Sequence, residues 1–395
     1  MKRAVLAYSG GLDTSVAIRW LSEEGFEVHA VAVNVGQREN FAQIIERGEK
    51  AGAASVCTID ATERFADEYL TKAIKTNGLY EGKYPMVRGL ARPCIVEEVV
   101  KVAREVDAQV VAHGCTGKGN DQVRFEVGFA VLAPDLQILA PIRDANIPRE
   151  KALTLAEEWG IPIANVVATY SVDENLWGRT AECGPLEDPW VAPPEDAFDR
   201  TAAPADRPSV PTEIVVAFDS GVPASLDGVA MPLPEVIRTL DTLGGSYGFG
   251  RVDMIENRRV GIKSRELYEV PAALALITAH RALEDMTLER DLAHHKPLLE
   301  QRWANLVYDG QWFSPLREAI DAFVDSTQTN VTGEVRLRFE PGTCTVVGRR
   351  AEASLYDLSL ATYGSQDAFD QTHAEGFVKL WGLPLKVWSA KQGRG

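Results

Sequence analysis

The chain has few cysteines, no concentrated positive charge and no apolar run of membrane-spanning length. Its five cysteines are scattered over 395 residues without a Cys-x-x-Cys pair, which predicts neither a disulfide framework nor a zinc site and favours a reducing compartment. A net charge of −16 means that nucleic-acid binding would need a concentrated basic patch, and the sequence has none. The apolar residues that follow Lys2-Arg3 are too few for a signal peptide. We therefore expect a cytoplasmic protein that binds neither nucleic acid nor a membrane.

Up to about residue 167, short apolar runs alternate with helical patterns, which is typical of an α/β fold whose parallel sheet carries helices on both faces. The predicted strands are Ala4–Tyr8, Glu27–Val35, Ser55–Asp60, Val110–His113 and Ile138–Ala140. The predicted helices are Ser15–Glu24, 39–52, Arg64–Asn77, Pro93–Val106, Asp121–Ala133 and Lys151–Trp159. Ligands of such sheets bind beyond the carboxyl ends of the strands. The loops after Tyr8, Val33 and His113 are therefore expected to lie together.

Prolines punctuate residues 184–211 and predict an irregular crossing into a second, α+β domain. Its predicted strands and helices are Glu213–Phe218, Arg251–Glu256, Glu334–Phe339 and Cys344–Gly348, and Leu233–Leu243, Pro271–Leu292, Leu298–Tyr308 and Pro315–Thr327. We predict a nucleotide-binding domain over 1–167, a substrate and multimerisation domain over 168–362, and a tail over 363–395. The tail is rich in large apolar residues, which predicts a subunit contact or packing on its own domain.

The stretch Ala4 to Ser15 predicts an anion site. A buried strand leads through Ser9-Gly10-Gly11 into a helix, so free backbone N–H groups and the positive end of the helix dipole would face the ligand. Asp13 is suited to positioning a metal or a proton. The stretch is neither a Walker A loop nor a dinucleotide fingerprint. It is similar to the pyrophosphate loop of the ATP pyrophosphatases. The alternative is an ordinary capped helix.

A second signal is the loop 113–126, which follows the fourth strand. Its three glycines within six residues suggest that a ligand approaches the main chain. Thr116, Asn120 and Asp121 together could hold both ends of an amino acid, with the ammonium group on Asp121 and Arg124 reaching back from the next turn. A helix capped by Asn120 or Asp121 is the alternative, although it would explain only one of these polar residues.

Two further polar segments, 170–180 and 256–269, are interpreted as walls of the substrate site, against the alternative of solvated charge. Tyr84 and Arg92 are expected in a loop before a helix.

The motifs around Ala7–Ser15, 113–126 and 256–265 together resemble the argininosuccinate synthase family, in the same order and spacing. The resemblance runs from the first strand to about Tyr363. It implies an ATP-dependent ligation in which the ureido oxygen of citrulline attacks the α-phosphorus of ATP. The resulting citrullyl-adenylate is then attacked by the amine of aspartate, which displaces AMP. The family also implies Mg²⁺ on the triphosphate and a homotetramer whose C-terminal segments embrace neighbouring subunits.

The resemblance assigns roles to individual residues. For ATP these are Ala7, Tyr8, Ser9, Gly10, Gly11, Leu12, Asp13, Thr14, Ser15, Val33 and Gly114. For aspartate they are Thr116, Asn120 and Asp121. For citrulline they are Tyr84, Asn120, Arg124, Ser171, Thr180, Glu256 and Tyr268. We take Asp13, Asn120 and Asp121 as the candidate catalytic residues, and we assign no side chain as a metal ligand.

Two departures from the family pattern keep alternatives open. Arg88-Gly89 stands where the family has small or hydroxyl residues, and Thr180 stands where it has serine. The guanidinium of Arg88 motivates a second hypothesis, a paralogue that joins aspartate to a more anionic acceptor. A tRNA-modifying enzyme of the pyrophosphatase fold is a third, and the acidic composition disfavours it. A catalytically idle ATP-binding regulator is a fourth, and the intact polar motifs disfavour it.

Overall fold

A computed structural model describes residues 1–162 and 169–393 of the chain. Backbone contacts divide it into two compact units, Met1–Ala353 and Ser354–Gly395. The predicted boundary at residues 167 and 168 lies outside the described residues. The first unit takes in the first predicted domain and the second up to Ala353, whereas residues 354–362 of the second predicted domain belong to the second unit.

The first half of unit one contains a five-stranded parallel sheet in the order β3-β2-β1-β4-β5. Its elements are β1 (Lys2–Ala7), α1 (Leu12–Glu23), β2 (Phe26–Asn34), α2 (Phe41–Lys50), β3 (Ser55–Asp60), α3 (Thr62–Arg64), a π-helical turn (Phe65–Leu70), α4 (Thr71–Lys75), α5 (Val87–Glu105), β4 (Val110–His113), α6 (Asp121–Leu132), β5 (Gln137–Leu139), α7 (Pro141–Asp144) and α8 (Arg149–Glu158). All five predicted strands and the parallel arrangement are confirmed.

The alternating side chains of β1 explain why this sheet is covered on both faces. Val5 belongs to the core formed with α5 and α6, whereas Leu6 belongs to the core formed with α1 and α8. Both side chains are fully buried. A strand buried on two sides needs consecutive apolar residues, and the buried part of β1, Ala4–Ala7, is apolar throughout.

The predicted helix Pro93–Val106 is present as α5, but its start differs from the prediction. It begins at Val87, so Pro93 lies inside it and Arg92 is helical, whereas we expected Pro93 near the first turn and Arg92 in a loop. Tyr84 does lie in a loop, bridged to Tyr80. The apolar side chains Leu90 and Cys94 are fully buried, and their packing offsets the hydrogen bond that proline removes.

The second half of unit one contains two antiparallel sheets, in the orders β10-β9-β8-β13-β14 and β11-β12-β7-β6. Its elements are β6 (Ser171–Asn175), β7 (Gly178–Glu182), β8 (Thr212–Asp219), β9 (Val222–Leu226), β10 (Val229–Ala230), α9 (Leu233–Ser246), β11 (Arg251–Asn257), β12 (Lys263–Glu269), α10 (Pro271–Thr287), α11 (Arg290–Tyr308), α12 (Pro315–Thr327), β13 (Gly333–Glu340) and β14 (Thr343–Arg350). The predicted α+β character is confirmed. Helix α11 begins eight residues earlier than predicted and contains Pro297.

The proline-rich segment is irregular, as predicted, and includes three short 3₁₀ turns, Gly184–Glu187, Glu195–Ala197 and Pro204–Asp206. It is nevertheless anchored. The buried carboxylate of Glu269 accepts hydrogen bonds from the backbone N–H groups of Asp199, Arg200 and Thr201 at 2.8–3.0 Å. The segment is therefore a tethered connection and not a flexible linker.

Unit two contains α13 (Leu358–Ala361) and α14 (Thr372–Lys391). The large apolar side chains of α14 are exposed, among them Phe377, Leu380, Trp381 and Leu383. Its role as a subunit contact stays a prediction. Across residues 1–162 and 169–393, the helices lack the combination of length and apolar character needed to cross a bilayer.

Candidate active site

The turn between β1 and α1 exposes Ser9 and Gly11 on either side of the buried Gly10. Gly10 adopts φ +72°, a conformation that suits glycine, and Gly11 occupies the N-cap position of α1. Ser9 and Gly11 are exposed, and the Ser9 and Thr14 hydroxyl oxygens lie 3.2 Å apart. A helix N-terminus flanked by two hydroxyls can bind phosphate oxygens.

Several predicted ATP residues lie beneath this turn and support it. Tyr8 and Ser15 are buried and hydrogen-bond to each other at 3.1 Å. Ala7, Leu12 and Val33 are also buried in the sheet and its helical cover. Their side chains shape the turn, so only their backbone groups are available to a nucleotide.

Gly114 brings the loop after β4 against the start of α1. A Cβ added at Gly114 would lie 2.8 Å from Thr14 Cγ2 and 3.1 Å from the Thr14 backbone N. The adjacent pairing of β2, β1 and β4 carries the loops after Tyr8, Val33 and His113 to one edge of the sheet. The predicted meeting of these loops is confirmed.

Asp13 follows the turn in the first helical turn of α1 and is partly exposed. Burial raises the pKa of its carboxyl, and the nearby positive charge of Arg149 opposes that rise. In residues 1–162 and 169–393, three or more acidic, histidine or cysteine side chains do not gather in a group suited to a metal.

Asn120 joins three parts of the site. It occupies the N-cap position of α6, yet its side chain reaches away from the helix: Nδ2 donates to Tyr308 Oη at 2.8 Å, and Oδ1 accepts from the backbone N–H of Arg259 at 2.9 Å. The capping alternative therefore does not account for this side chain. Thr116, in the same loop, is exposed.

Asp121 is clamped between two guanidinium groups. Arg124 donates to Oδ1 at 2.7 Å, and Arg92 donates to Oδ2 at 2.9 Å. Burial raises the pKa of Asp121, but the charges of Arg92 and Arg124 outweigh it and hold the pKa well below its usual range. Asp121 is therefore an ionised carboxylate at neutral pH.

The four-stranded sheet gathers four predicted citrulline residues on one face. Tyr268 pairs with Thr180 across β12 and β7, Thr180 pairs with Asp173 across β7 and β6, and Ser171 lies two residues before Asp173. Tyr268 Oη donates to Glu256 Oε1 at 2.6 Å, which adds the fourth. Side chains two apart on a strand share a face, so this register forms a polar wall.

Tyr84 and Arg124 complete the wall from outside the sheet. The Tyr84 ring stacks on that of Tyr268 with centroids 4.0 Å apart. Arg124 is buried and donates from Nε and Nη2 to the backbone oxygen of Tyr308 at 3.2 and 3.0 Å. Tyr308 itself was not predicted, because a tyrosine in the last turn of a helix carries no sequence signal for a site.

An alternating series of charges runs along this wall, and we call it the ionic chain. In order of contact it comprises Arg124, Asp121, Arg92, Asp173, Arg88, Glu182, Arg258 and Glu266. Asp173, Glu182, Arg258 and Glu266 were not predicted individually. The alternation of Ser264, Glu266 and Tyr268 in the sequence is the signal that could have identified this part of the wall.

Arg88 is matched by the chain's own groups. Its guanidinium donates to Thr180 Oγ1 at 3.0 and 2.7 Å and to Glu182 Oε1 at 2.9 Å, and Asp173 lies 3.8 Å away. It is therefore not a spare positive charge, and the motive for a more anionic acceptor is lost.

Comparisons with known proteins cover both halves of this arrangement. The family model described as arginosuccinate synthase N-terminal HUP domain matches residues 3–162, and the one described as arginosuccinate synthase C-terminal domain matches residues 170–388. The argininosuccinate synthase of Bacillus licheniformis is 52% identical over 99% of this chain and 97% of its own. That of Bacillus thuringiensis is 51% identical over 98% and 97%.

A solved 4-thiouridine synthetase–RNA complex with bound ATP matches 40% of this chain and 41% of its own, with 18% identity and a TM-score of 0.32, which is too low to carry an argument.

The fold and the matched models define the class as a HUP-domain carbon–nitrogen ligase. The chain belongs to the argininosuccinate synthase family. The predicted family is thereby confirmed. The individual roles of the site residues stay predictions.

Proposed function

We propose that this chain joins L-citrulline to L-aspartate, forming L-argininosuccinate while ATP is converted to AMP and pyrophosphate. The main support is the position of Asn120, whose side chain links the α6 loop to Tyr308 and to the segment that follows β11. Through this contact the loop beside the phosphate turn meets the polar wall. A reaction between a triphosphate and two amino acids needs such a meeting point.

The phosphate turn would bind ATP through the backbone of Gly10 and Gly11 and the hydroxyls of Ser9 and Thr14. Gly114 would close over the nucleotide, since its lack of a side chain permits the close approach to α1. Mg²⁺ commonly binds through one or two carboxylates together with substrate phosphates, and Asp13 is a single carboxylate suited to that role. When bound, Mg²⁺ would neutralise charge on the triphosphate.

The aspartate substrate would bind at the start of α6. The ionised Asp121 carboxylate is suited to the ammonium group, and the exposed hydroxyl of Thr116 and the amide of Asn120 are suited to a carboxylate. Held there, the amine would be aimed at the activated acceptor. Positioning alone can supply much of such a rate enhancement.

Citrulline would lie on the polar wall, among Tyr84, Arg124, Ser171, Thr180, Glu256 and Tyr268. Its ureido oxygen would attack the α-phosphorus of ATP, releasing pyrophosphate and leaving a citrullyl-adenylate. The aspartate amine would then attack the ureido carbon and release AMP. The chain needs no nucleophilic side chain for either step.

We also propose that the protein is cytoplasmic and assembles as a homotetramer. The exposed apolar side chains of α14 support an intersubunit contact, because so large an apolar surface is unusual on an isolated monomer.

The test follows the oxygen atom. With citrulline labelled with ¹⁸O in the ureido group, we expect the label in AMP, with pyrophosphate release that depends on citrulline. Label that remains in the organic product would contradict the adenylate mechanism. Pyrophosphate release that is independent of citrulline, or no release at all, would contradict the choice of acceptor.

A further inference from the structure

The end of the ionic chain contains two carboxylates that oppose each other. In the antiparallel pairing of β7 with β12, Tyr268 lies opposite Thr180 and Leu267 lies opposite Ala181. Continuing this register by one residue places Glu266 opposite Glu182. Like charges directly opposite on neighbouring strands repel each other. The pair therefore needs compensation from its surroundings.

Two guanidinium groups supply part of that compensation. Arg258 Nη2 lies 2.5 Å from Glu182 Oε2 and 2.6 Å from Glu266 Oε1. Arg88 Nη1 lies 2.9 Å from Glu182 Oε1, but Arg88 Nη2 lies 3.9 Å from Glu266 Oε2. Glu182 is thus hydrogen-bonded to both cations, whereas Glu266 is hydrogen-bonded to one.

Glu266 retains an oxygen that lacks a partner. Its side chain is 2% exposed, and within the described ranges its Oε2 is buried without any hydrogen-bond partner. A buried polar atom is expected to be paired. A proton on Glu266 would turn this group into a donor, and the opposing carboxylate of Glu182 would be its acceptor.

The charged and titratable groups around Glu266 come from several elements. They are Arg88 on α5, Asp173 on β6, Glu182 on β7, Cys183 just after it, Glu256 on β11, Arg258 after β11, and Tyr268 on β12 itself. The ionic chain and Glu256 together contain five carboxylates and four guanidiniums. One retained proton would balance them.

We propose that Glu182 and Glu266 share one proton at neutral pH, and that this proton keeps Arg88 on Thr180 at the citrulline wall. Loss of the proton would change the position of the Arg88 side chain. Without the proton, Glu266 becomes a second full carboxylate beside Arg88 and draws the guanidinium away from the Thr180 hydroxyl. Glu266 is thus a positioning residue that acts through Arg88.

The pKa shifts of Glu266 and Glu182 agree with this assignment. Burial raises the pKa of Glu266 to about 8, with Glu182 and Glu256 adding to the rise and Arg88 opposing it. Burial also acts on Glu182, but the charges of Arg88 and Arg258 lower its pKa below the usual value. These opposite shifts favour Glu266 as the main carrier of the shared proton.

The kinetic test rests on the proposed function. For each protein it compares the KM for citrulline at pH 7 with the KM for citrulline at pH 9. We expect the KM for citrulline of the wild type to rise about tenfold between pH 7 and pH 9, as the shared proton is lost. Glu266→Gln carries a permanent neutral donor, so its KM for citrulline should change by less than about twofold between pH 7 and pH 9. The KM for ATP serves as the internal control in both. Equal citrulline ratios in the two proteins would overturn the proposal.

A spectroscopic test is independent of turnover. The infrared spectrum of the wild type without substrates should contain a protonated carboxyl band that disappears between pH 7 and pH 9.5. The band should be absent from Glu266→Gln and present in the matched variant Glu256→Gln. If Glu266→Gln does not fold, Glu182→Gln should lose the titration in this range, because the opposing charge is gone. A wild-type spectrum without the titrating band would overturn the shared proton, whatever the acceptor of the enzyme is.

Discussion

Two groups of buried charges in unit one differ in how completely they are paired. The first is the ionic chain on the polar wall. The second, which we call the helix network, lies among α4, α10, α11 and the end of α12. It comprises Asn77, His280, Glu284, Lys296, Glu300 and Gln328.

The helix network is densely hydrogen-bonded. Lys296 Nζ lies 2.6 Å from Glu300, 2.9 Å from Glu284 and 2.8 Å from the backbone oxygen of Lys75. Asn77 Nδ2 donates to both glutamates at 2.7 Å, and its Oδ1 contacts His280 Nδ1 at the same distance. Among the described residues, none of the buried side-chain nitrogens and oxygens of this network lacks a partner.

The polar wall is different, because Glu256 and Glu266 each have a buried oxygen without a partner within the described ranges. A fully satisfied network makes a fold rigid and specific, whereas unsatisfied groups stay where a ligand or a proton completes them. The contrast predicts that damage to the helix network lowers stability, and that damage to the wall lowers turnover.

Lys296→Ala should have the largest effect on stability. It would leave Glu284 and Glu300 buried without their cation, which we expect to lower the free energy of unfolding by about 3–5 kcal/mol. Urea denaturation measures the loss. The control is Lys50→Ala, whose partner Glu46 is on the surface, and we expect a much smaller loss there because solvent screens an exposed pair. Equal losses of stability in the two variants would contradict the special role of the buried lysine in the helix network.

A pair of asparagine substitutions sharpens the comparison. Asn77→Ala should lower the free energy of unfolding by about 1–3 kcal/mol and leave the KM values unchanged, because its partners belong to the helix network. Asn120→Ala should instead lower kcat/KM for aspartate by about 10- to 100-fold. Its side chain belongs to the proposed aspartate site and ties that loop to Tyr308 and the Arg259 backbone. Urea denaturation and steady-state kinetics, measured on both variants, test the predicted loss of stability and the predicted loss of kcat/KM. Kinetic damage from Asn77→Ala would contradict the separation.

Thr180 should show the smallest effect. Thr180→Val removes the hydroxyl that accepts two hydrogen bonds from Arg88, and we expect the KM for citrulline to rise by about 5- to 10-fold. Thr180→Ser keeps the hydroxyl and should change that KM by less than about threefold. A serine variant as impaired as the valine variant would show that packing, and not the hydrogen bond, matters at this position.

Local sequence pattern was sufficient for the parallel sheet. The central strands β1, β2 and β4 contain short apolar runs, and the Gly10-Gly11 turn follows the first of them. It was insufficient for the starts of α5 and α11. Pro93 and Pro297 interrupt both helical patterns, and only tertiary packing, which a sequence does not display, compensates for them.

The predicted site residues were those with local signals, such as the clustered glycines and the helix start at Asp121. The ionic chain as a whole was missed because its residues come from α5, α6, β6, β7, the segment after β11, and β12. Arg88 illustrates the limit. Its sequence context suggested an available cation, whereas the fold brings Glu182 from 94 positions away to neutralise it.

The ionic chain also restricts how this family member can change over generations. Replacing Arg88 by a neutral residue would leave Glu182 and Glu266 facing each other with one cation between them, so the single step is unfavourable even where the final combination is sound. A tolerated replacement of Arg88 then requires that one of the two carboxylates is replaced earlier or at the same time. A library that randomises position 88 alone would sample mainly failures, whereas one that varies 88 and 266 jointly would reach functional alternatives.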